Sequence, residues 1–122
     1  MTTIMFLNRF DQPILAGTKR QTIRPPRKRP IKVGDALSLR VWTGTAYRSP
    51  QRTLIDTTCS AVFDIEIQAT GYRLGTGQMQ TDLDDFAMGD GFADWEEFIG
   101  HFEGFYGLPF QGTLIQWEVA RA

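Results

Sequence analysis

The amino-acid sequence predicts a single α+β domain spanning residues 1–122, and three observations support this class. The chain is 42% hydrophobic and 12% aromatic, which is enough apolar material for one packed core and argues against disorder. Short strand-like segments are separated by turn residues, as in sheets whose strands are joined by hairpins. One helical segment lies near the start of the chain and another near its end, which is typical of α+β proteins.

The first elements are a strand and a helical turn. Thr2 to Leu7 has the composition of a β-strand, and Phe10 to Ala16 predicts a short helix. Within that helix, Ile14 and Leu15 are expected to face inward. Gly17 follows and can adopt the positive φ that ends a helix. The chain is therefore expected to change from helix to strand just after Gly17.

The middle of the chain is predicted to form strands. Ala36 to Val41 and Thr53 to Ala69 are the two strand-like runs. From Cys59 to Gln68, apolar and polar residues alternate, as expected for a half-buried strand. Ala69 to Met79 is rich in glycine and predicts a turn followed by a weak strand.

The C-terminal part predicts a capped helix and a last strand. Asp94 is expected to be the N-cap of a helix from Trp95 to Gly104, with Glu97 at the capping-box position. Its buried face is expected to comprise Trp95, Phe98, Ile99, Phe102 and Phe105. Gln111 to Val119 predicts the closing strand.

Positive and negative charges are separated along the chain. Residues 1–52 contain 11 Lys or Arg and two acids, whereas residues 53–122 contain two Arg and 12 acids. The net charge of −1 hides this division. Such asymmetry indicates a surface for polyanions, although a fold can also interleave the two halves and neutralise it.

The most basic segment runs from Arg24 to Lys32, and its three prolines prevent a helix. Its cations are expected to stay exposed, because burying unpaired charges is prohibitive. They are Arg27, Lys28, Arg29 and Lys32. Phosphate groups of a nucleic acid or nucleotide are the expected partners, and a solubilising surface loop is the alternative.

A second polar loop runs from Trp42 to Arg52 between two strands. Trp42 or Tyr47 can stack on a base while Arg48 and Arg52 hold phosphates, which is a combination suited to single-stranded RNA. The alternative is an ordinary hairpin loop with Trp42 packed against the sheet. The pattern does not separate these two interpretations.

Cysteine and histidine usage excludes several classes of site. Cys59 cannot form an internal disulfide, and one Cys with one His cannot form a usual structural zinc site. The histidine, His101, stands on the late helix between Phe98 and Phe102. A zinc deaminase and a Cys-His hydrolase are therefore disfavoured, and neither a metal nor another cofactor is expected.

The sequence predicts no membrane partner. It has no apolar run near the ~20 residues that a membrane span needs, and Met1 to Asn8 lacks the features of a signal peptide. A soluble, cytoplasmic protein is expected. The oligomeric state is not indicated.

Three polar residues follow Gly17 at short spacing: Lys19, Thr22 and Arg24. In a turning or extended backbone, Lys19 and Thr22 are close enough for the amine to reach the hydroxyl. A Thr hydroxyl next to a Lys amine is a candidate activated nucleophile. The alternative is that Thr22 is a structural strand residue and that Lys19 and Arg24 are solvated charges.

The segment FLNRFDQPILAGTKRQTIR, from Phe6 to Arg24, resembles the opening motif of the ASCH domain, a family of the PUA-like superfamily. The similarity is greatest to the small bacterial branch that hydrolyses N(4)-acetylcytidine. The matching residues are Phe6, Arg9, Phe10, Ile14, Leu15, Ala16, Gly17, Lys19, Thr22, Ile23 and Arg24. Lys32 to Asp35 resembles the family's next turn, and DGFADWEEFIGHFEGFYG with the strand after it resembles its acidic residue, helix and last strand.

The resemblance implies a fold and a cleft. The fold would be a PUA-like, mostly antiparallel β-barrel of five or six strands with two or three flanking helices. The cleft would lie between the Lys19 to Arg24 segment, the Trp42 to Arg52 loop and the start of the late helix.

The resemblance also implies hydrolysis of an N(4)-acyl amide of cytidine. In that chemistry Thr22 attacks the carbonyl, neutral Lys19 takes the hydroxyl proton, and Asp90 orients the pair. Arg24 or Arg9 would support the negative charge of the transition state. Asp90 stands where the family has a Glu, so its side chain is one methylene shorter.

Other assignments remain open. Asp85 and Asp94 are alternative acids. A non-catalytic RNA-binding module is the second function, with Lys19 and Arg24 on phosphates. A ribonuclease is the third and would need a metal held by three acids that are more typical of a solvated loop: Asp82, Asp84 and Asp85.

Overall fold

The computed structural model describes residues 1–80 and 82–119, which form an α+β fold. Its strands are β1 (Thr2–Phe6), β2 (Gln21–Arg24), β3 (Ala36–Trp42), β4 (Gln51–Gln68), β5 (Gly71–Leu74) and β6 (Phe110–Trp117). Its α-helices are α1 (Asp11–Ala16), α2 (Leu83–Gly89) and α3 (Trp95–Phe105). No helix in these residues has the length and apolar character needed to cross a membrane.

The long strand β4 organises the sheet because it pairs with three others. Its first half pairs with β3, its second half pairs with β6, and its last residues also pair with β5; all three pairings are antiparallel. The strand order is β1-β3-β4-β6-β2, with β5 beside β4, and β1 runs parallel to β3. The register shifts between Leu39 and Arg40 and between Cys59 and Ala61, and such bulges bend a sheet. The predicted mostly antiparallel sheet is confirmed.

The sheet is open, with β1 and β2 at its two edges. These edges approach each other through side chains. Arg24 of β2 donates a hydrogen bond of 2.7 Å from Nη2 to the carbonyl oxygen of Met5 in β1. The ring of Phe6 packs edge-on against Trp117, with 5.9 Å between centroids. Within the described residues no ladder joins β1 to β2, so a closed barrel is not seen there.

The N-terminal helix α1 ends where glycine was expected to end it. Gly17 has φ of +81°, and its N–H bonds to the carbonyl oxygen of Ile14. Ile14 is buried as predicted, but the prediction for Leu15 was wrong, since 46% of that residue is exposed. A six-residue helix presents one narrow stripe to the core, and adjacent residues lie too far apart around the axis to share it.

Helix α2 was not predicted, and it contains Asp84 and Asp85. Asp84 accepts a hydrogen bond of 2.9 Å from the backbone N–H of Trp95, which links α2 to the start of α3. The helix is stabilised by tertiary packing, because Phe86 stacks on Tyr72 of β5 with 3.8 Å between ring centroids. A seven-residue helix is marginal by itself, and the local sequence gives little signal of it.

Helix α3 begins at the predicted cap, because Asp94 accepts a hydrogen bond of 2.9 Å from the N–H of Glu97. Phe98 and Phe102 are buried as expected, and the remaining apolar residues of the predicted face differ in burial. Trp95 and Ile99 are partly buried, whereas Phe105 is 64% exposed. The expected burial of Phe105 was wrong because the helix extends past the core at this end.

Candidate functional site

A cavity of about 330 Å³ lies between the β1–β2 edges, the β3–β4 loop and the last turns of α3. Pockets of this size accommodate small ligands. Six of the residues predicted to act in the site line it: Lys19, Thr22, Arg24, Trp42, Tyr47 and Asp90. The cleft is where it was expected to be, except that the end of α3 rather than its start forms the wall. We call Lys19, Thr22, Arg24 and Asp90 the floor of the cavity.

Lys19 enters the floor from the end of α1. The N–H groups of Thr18 and Lys19 both donate to the carbonyl oxygen of Pro13, so the turn after the helix is fixed. The Lys19 side chain is 2% exposed, and its Nζ donates a hydrogen bond of 2.5 Å to the carbonyl oxygen of Asp90. Nζ also lies 3.8 Å from Oδ1 of Asp90 and 4.6 Å from the centroid of the Phe10 ring. A lysine this deeply buried is not a solvated surface charge.

Burial controls the protonation of this lysine. Desolvation lowers the pKa of Lys19 to about 8; the Asp90 carboxylate opposes this shift, and the charges of Arg24 and Arg9 add to it. Part of the Lys19 population is therefore neutral near neutral pH and able to accept a proton.

Asp90 follows α2 and is as buried as its partner. Its N–H bonds to the carbonyl oxygens of Phe86 and Ala87, which fixes the residue at the helix end. Burial raises the pKa of Asp90 to about 6, against the opposing effects of Lys19 and Arg24. Oδ1 has no hydrogen-bond partner among the described residues. A buried carboxylate oxygen without a donor lowers the stability of the fold, and such an oxygen is often retained because it has a functional role.

Gly91, which follows α2, has no side chain and so leaves room for the side chain of Lys19. Its φ is +93°, and a Cβ at this position would lie 2.9 Å from Cδ of Lys19 and 3.0 Å from the Phe10 ring. Any side chain here would both strain the backbone and displace the lysine.

Thr22 and Arg24 project from the same face of β2, because they are two residues apart. Thr22 is buried, and its Oγ1 accepts a hydrogen bond of 3.0 Å from Nε of Arg24. Arg24 is itself held by Met5 and by the Phe6 ring, 4.9 Å from its guanidinium carbon. The Thr22 hydroxyl therefore accepts from a cation and keeps its own proton available for donation.

Four aromatic residues, which we call the rim, surround the mouth of the cavity: Trp42, Tyr47, Phe105 and Tyr106. The rings of Trp42 and Tyr47 pack with 5.1 Å between centroids. Tyr47 is 88% exposed and has a left-handed backbone, with φ of +63°, which is uncommon for a bulky residue. Trp42 is half-buried, and stacking of its ring or of Tyr47 on a base stays a prediction.

The loop that carries Tyr47 is held by its own hydrogen bonds. Ser49 Oγ accepts from the N–H of Gly44 and donates to the carbonyl oxygen of Thr45. The N–H and the hydroxyl of Thr43 both donate to the carbonyl oxygen of Pro50. These contacts support the unusual backbone of Tyr47 and present its ring at the mouth.

Other predicted residues lie outside the cavity lining: Arg9, Arg27, Lys28, Arg29, Arg48 and Arg52. Arg9 pairs with Glu97 at 2.6 Å, and Arg52 pairs with Asp11 at 3.0 Å. Burial lowers the pKa of Arg24, and the charge of nearby Arg27 lowers it further.

The two alternative acids are also outside the lining. Asp94 caps α3, and Asp85 is exposed on α2. Asp90 is therefore the acid that the structure brings to Lys19.

The lining residues that were not identified as site residues from the sequence include His101, Phe105 and Tyr106. All three lie on or just after α3. His101 stands three residues after Phe98 and four before Phe105, so helical spacing put it on the aromatic face. The polar imidazole of His101 on an otherwise aromatic helix face was the sequence feature that could have identified it as a site residue.

The chain matches no protein-family model, no curated protein and no solved structure. The resemblance of the Phe6 to Arg24 segment to the ASCH domain therefore stays a prediction, and the function has to be inferred from the site itself.

Proposed function

We propose that this protein is an amidohydrolase that removes the acyl group from the N(4) amine of a cytidine, on a PUA-like ASCH domain. One observation carries the proposal: a buried lysine with a lowered pKa lies against a buried aspartate, in the same cavity as a buried threonine hydroxyl. Desolvated lysines are suited to act as general bases at neutral pH.

In the first step, Oγ1 of Thr22 attacks the acyl carbon and neutral Lys19 takes the hydroxyl proton. The carbonyl oxygen becomes an oxyanion, which the guanidinium of Arg24 stabilises. The C–N bond then breaks. Its electron pair stays on the leaving amine, which receives the proton from Lys19, and an acyl-threonine ester remains.

In the second step, water attacks the ester and Lys19 takes a proton from that water. The bond between the acyl carbon and Oγ1 breaks, and Thr22 recovers its proton from Lys19. The products are a carboxylic acid and the free amine of cytidine. No cofactor enters either step.

Asp90 is suited to position the lysine although its side chain is shorter than the glutamate of the resembled family. Its carbonyl oxygen accepts the hydrogen bond from Nζ, while its carboxylate stands 3.8 Å from the same atom. Backbone and side chain of one residue together hold the amine, which supports the assignment of Asp90.

The test is to incubate the protein with N(4)-acetylcytidine and to measure the cytidine released by chromatography. The parent protein should hydrolyse N(4)-acetylcytidine. Thr22→Val and Lys19→Met should each lower this activity by roughly 10³-fold, because nucleophile and base act as a unit. Thr70→Val and Lys32→Met are matched controls on exposed residues outside the cavity and should retain activity. An inactive parent, or a fully active Thr22→Val variant, would overturn the proposal.

A second function, RNA binding without turnover, is favoured by a separate observation. Arg27, Lys28 and Arg29 are exposed and form no salt bridge among the described residues. Single-stranded RNA should bind with an affinity that falls as salt rises, and replacing all three residues by Gln should reduce the slope by about 0.7 for each phosphate that is no longer neutralised. An unchanged slope would exclude this loop as the phosphate-binding segment.

A further inference from the structure

The histidine of this chain occupies a part of the cavity that the proposed reaction does not use. His101 is on α3, whereas Thr22 and Arg24 are on β2, so the cavity has two polar walls on different elements. The imidazole is half-buried. A ligand that reaches Thr22 and Arg24 therefore occupies the same cavity of about 330 Å³ as the imidazole.

Aromatic rings hold the imidazole in place. Phe105 stacks on it with 4.5 Å between centroids, while Phe92 and Phe102 pack at 5.2 and 5.5 Å. These neighbours fix the orientation of the ring and offer it no conventional hydrogen-bond acceptor. No side-chain hydrogen bond joins the imidazole of His101 to any residue of 1–80 or 82–119. Its two nitrogen atoms are consequently available to a ligand.

Burial, together with nearby positive charges, keeps His101 neutral. Burial lowers the pKa of the imidazole, and the positive charges of Arg9, Lys19 and Arg24 lower it further. Glu97, one turn earlier on α3, is paired with Arg9. At neutral pH the ring therefore carries one N–H donor and one nitrogen acceptor, which is the complement needed by the edge of a nucleobase.

We propose that His101 hydrogen-bonds the polar edge of the leaving base and thereby determines which amides this site accepts. The inference rests on the proposed hydrolase function and names the residue that recognises the leaving base. The preferred substrates are N-acyl derivatives of planar heterocycles whose edge has both a donor and an acceptor. Simple aliphatic amides and acyl esters of plain phenols lack that edge.

The kinetic test compares two acetyl donors, N(4)-acetylcytidine and p-nitrophenyl acetate. His101→Phe preserves the aromatic packing and removes both nitrogens, so kcat/KM for acetylcytidine should fall about tenfold, mostly through KM, while the ester rate stays at the parental value. His101→Gln, which restores a donor and an acceptor, should recover part of the loss. Equal losses on both donors, or no loss on acetylcytidine, would overturn the inference.

A spectroscopic test separates this inference from failure of the hydrolase proposal. Because the chain has one histidine, ¹⁵N NMR of the imidazole reports His101 alone. Saturating cytidine, the reaction product, should shift the resonance of a ring nitrogen in the parent protein and in Thr22→Val. An inactive parent that still shows this shift would refute the hydrolase and retain base recognition, whereas an unmoved resonance would refute the role of His101.

Discussion

At the floor of the cavity, Lys19, Thr22 and Asp90 are buried polar side chains, whereas at the rim Tyr47 and Phe105 are large apolar side chains exposed to solvent. The floor is held by hydrogen bonds to backbone atoms of distant segments, whereas the rim is held by hydrogen bonds within the Tyr47 loop and by packing between aromatic rings. The floor is therefore expected to tolerate little movement, as chemistry requires, while the exposed rings of the rim are placed to contact a ligand. Substitutions in the two regions should therefore have different kinetic signatures.

Among substitutions that leave every functional group of the floor in place, the largest effect is expected from displacing Lys19. Gly91→Ala places a Cβ 2.9 Å from Cδ of Lys19, and hydrolysis should fall on the order of 100-fold because the amine is misplaced. Gly34→Ala is the control, since Gly34 has the same φ of +93° with no atom within 4 Å of the added Cβ. Both variants should carry similar backbone strain from the positive φ, and only Gly91→Ala should lose the rate of hydrolysis. Equal rates in the two variants would show that the floor is not rigid.

A smaller effect is expected at the rim. Tyr47→Ala removes one exposed ring from the mouth, and KM for N(4)-acetylcytidine should rise about tenfold with kcat unchanged, because stacking on a base contributes to binding and not to the chemical step. Phe63→Ala, an exposed aromatic of β4 outside the cavity, should leave both constants at their parental values. A fall in kcat for Tyr47→Ala would mean that rim and floor are coupled.

The floor also predicts how stability depends on pH. The pKa of Asp90 is raised, so stability should be lost as pH rises from about 4 to about 6; the pKa of Lys19 is lowered, so stability should return as pH rises from about 8 to about 10.5. Urea unfolding should show changes on the order of 2–3 kcal/mol in each window. Lys19→Met should abolish the alkaline rise, and Asp90→Asn the acidic fall. Parental curves in both variants would contradict the assignment.

The smallest effect is expected from a charge beside the floor. Arg9 is one of the weaker causes that lower the pKa of Lys19. In Arg9→Gln the acidic limb of the kcat/KM profile should shift slightly toward higher pH, by less than burial shifts it, since neutral Lys19 is the reactive form. Added salt should shrink the difference between the variant and the parent, as for any exposed charge. A shift toward lower pH would exclude Lys19 as the base.

Local chemistry explains why part of the floor could be predicted from sequence. Gly17 ends α1 and β2 follows at once, so Lys19 and Thr22 had to lie near each other. Asp90 is 71 residues from Lys19, and no local pattern joins them; the family resemblance alone pointed to it. The open sheet, helix α2 and the exposure of Leu15 depend on tertiary packing, which periodicity does not encode.

Two of the four rim residues were predicted from the sequence, and the other two were missed because their role depends on tertiary packing. Trp42 and Tyr47 stood out because aromatic residues are unusual in a polar loop, whereas Phe105 was assigned to the buried helix face and Tyr106 was not singled out. The helix runs past the core by one turn, and that excess length turns core-type residues into a wall of the cavity. His101 lies before that last turn, between the buried Phe98 and Phe102, and reaches the cavity from the core part of the helix.

Arg24 connects the two edges of the sheet and contacts the candidate nucleophile with the same guanidinium group. One side chain therefore stabilises the sheet and contacts the candidate nucleophile. A substitution of Arg24 would weaken both the contact between β1 and β2 and the site at Thr22. A ligand that draws the guanidinium toward itself would likewise weaken the contact between β1 and β2. Engineering of the pocket is best confined to the aromatic mouth, where the chain can be altered without touching what keeps the sheet together.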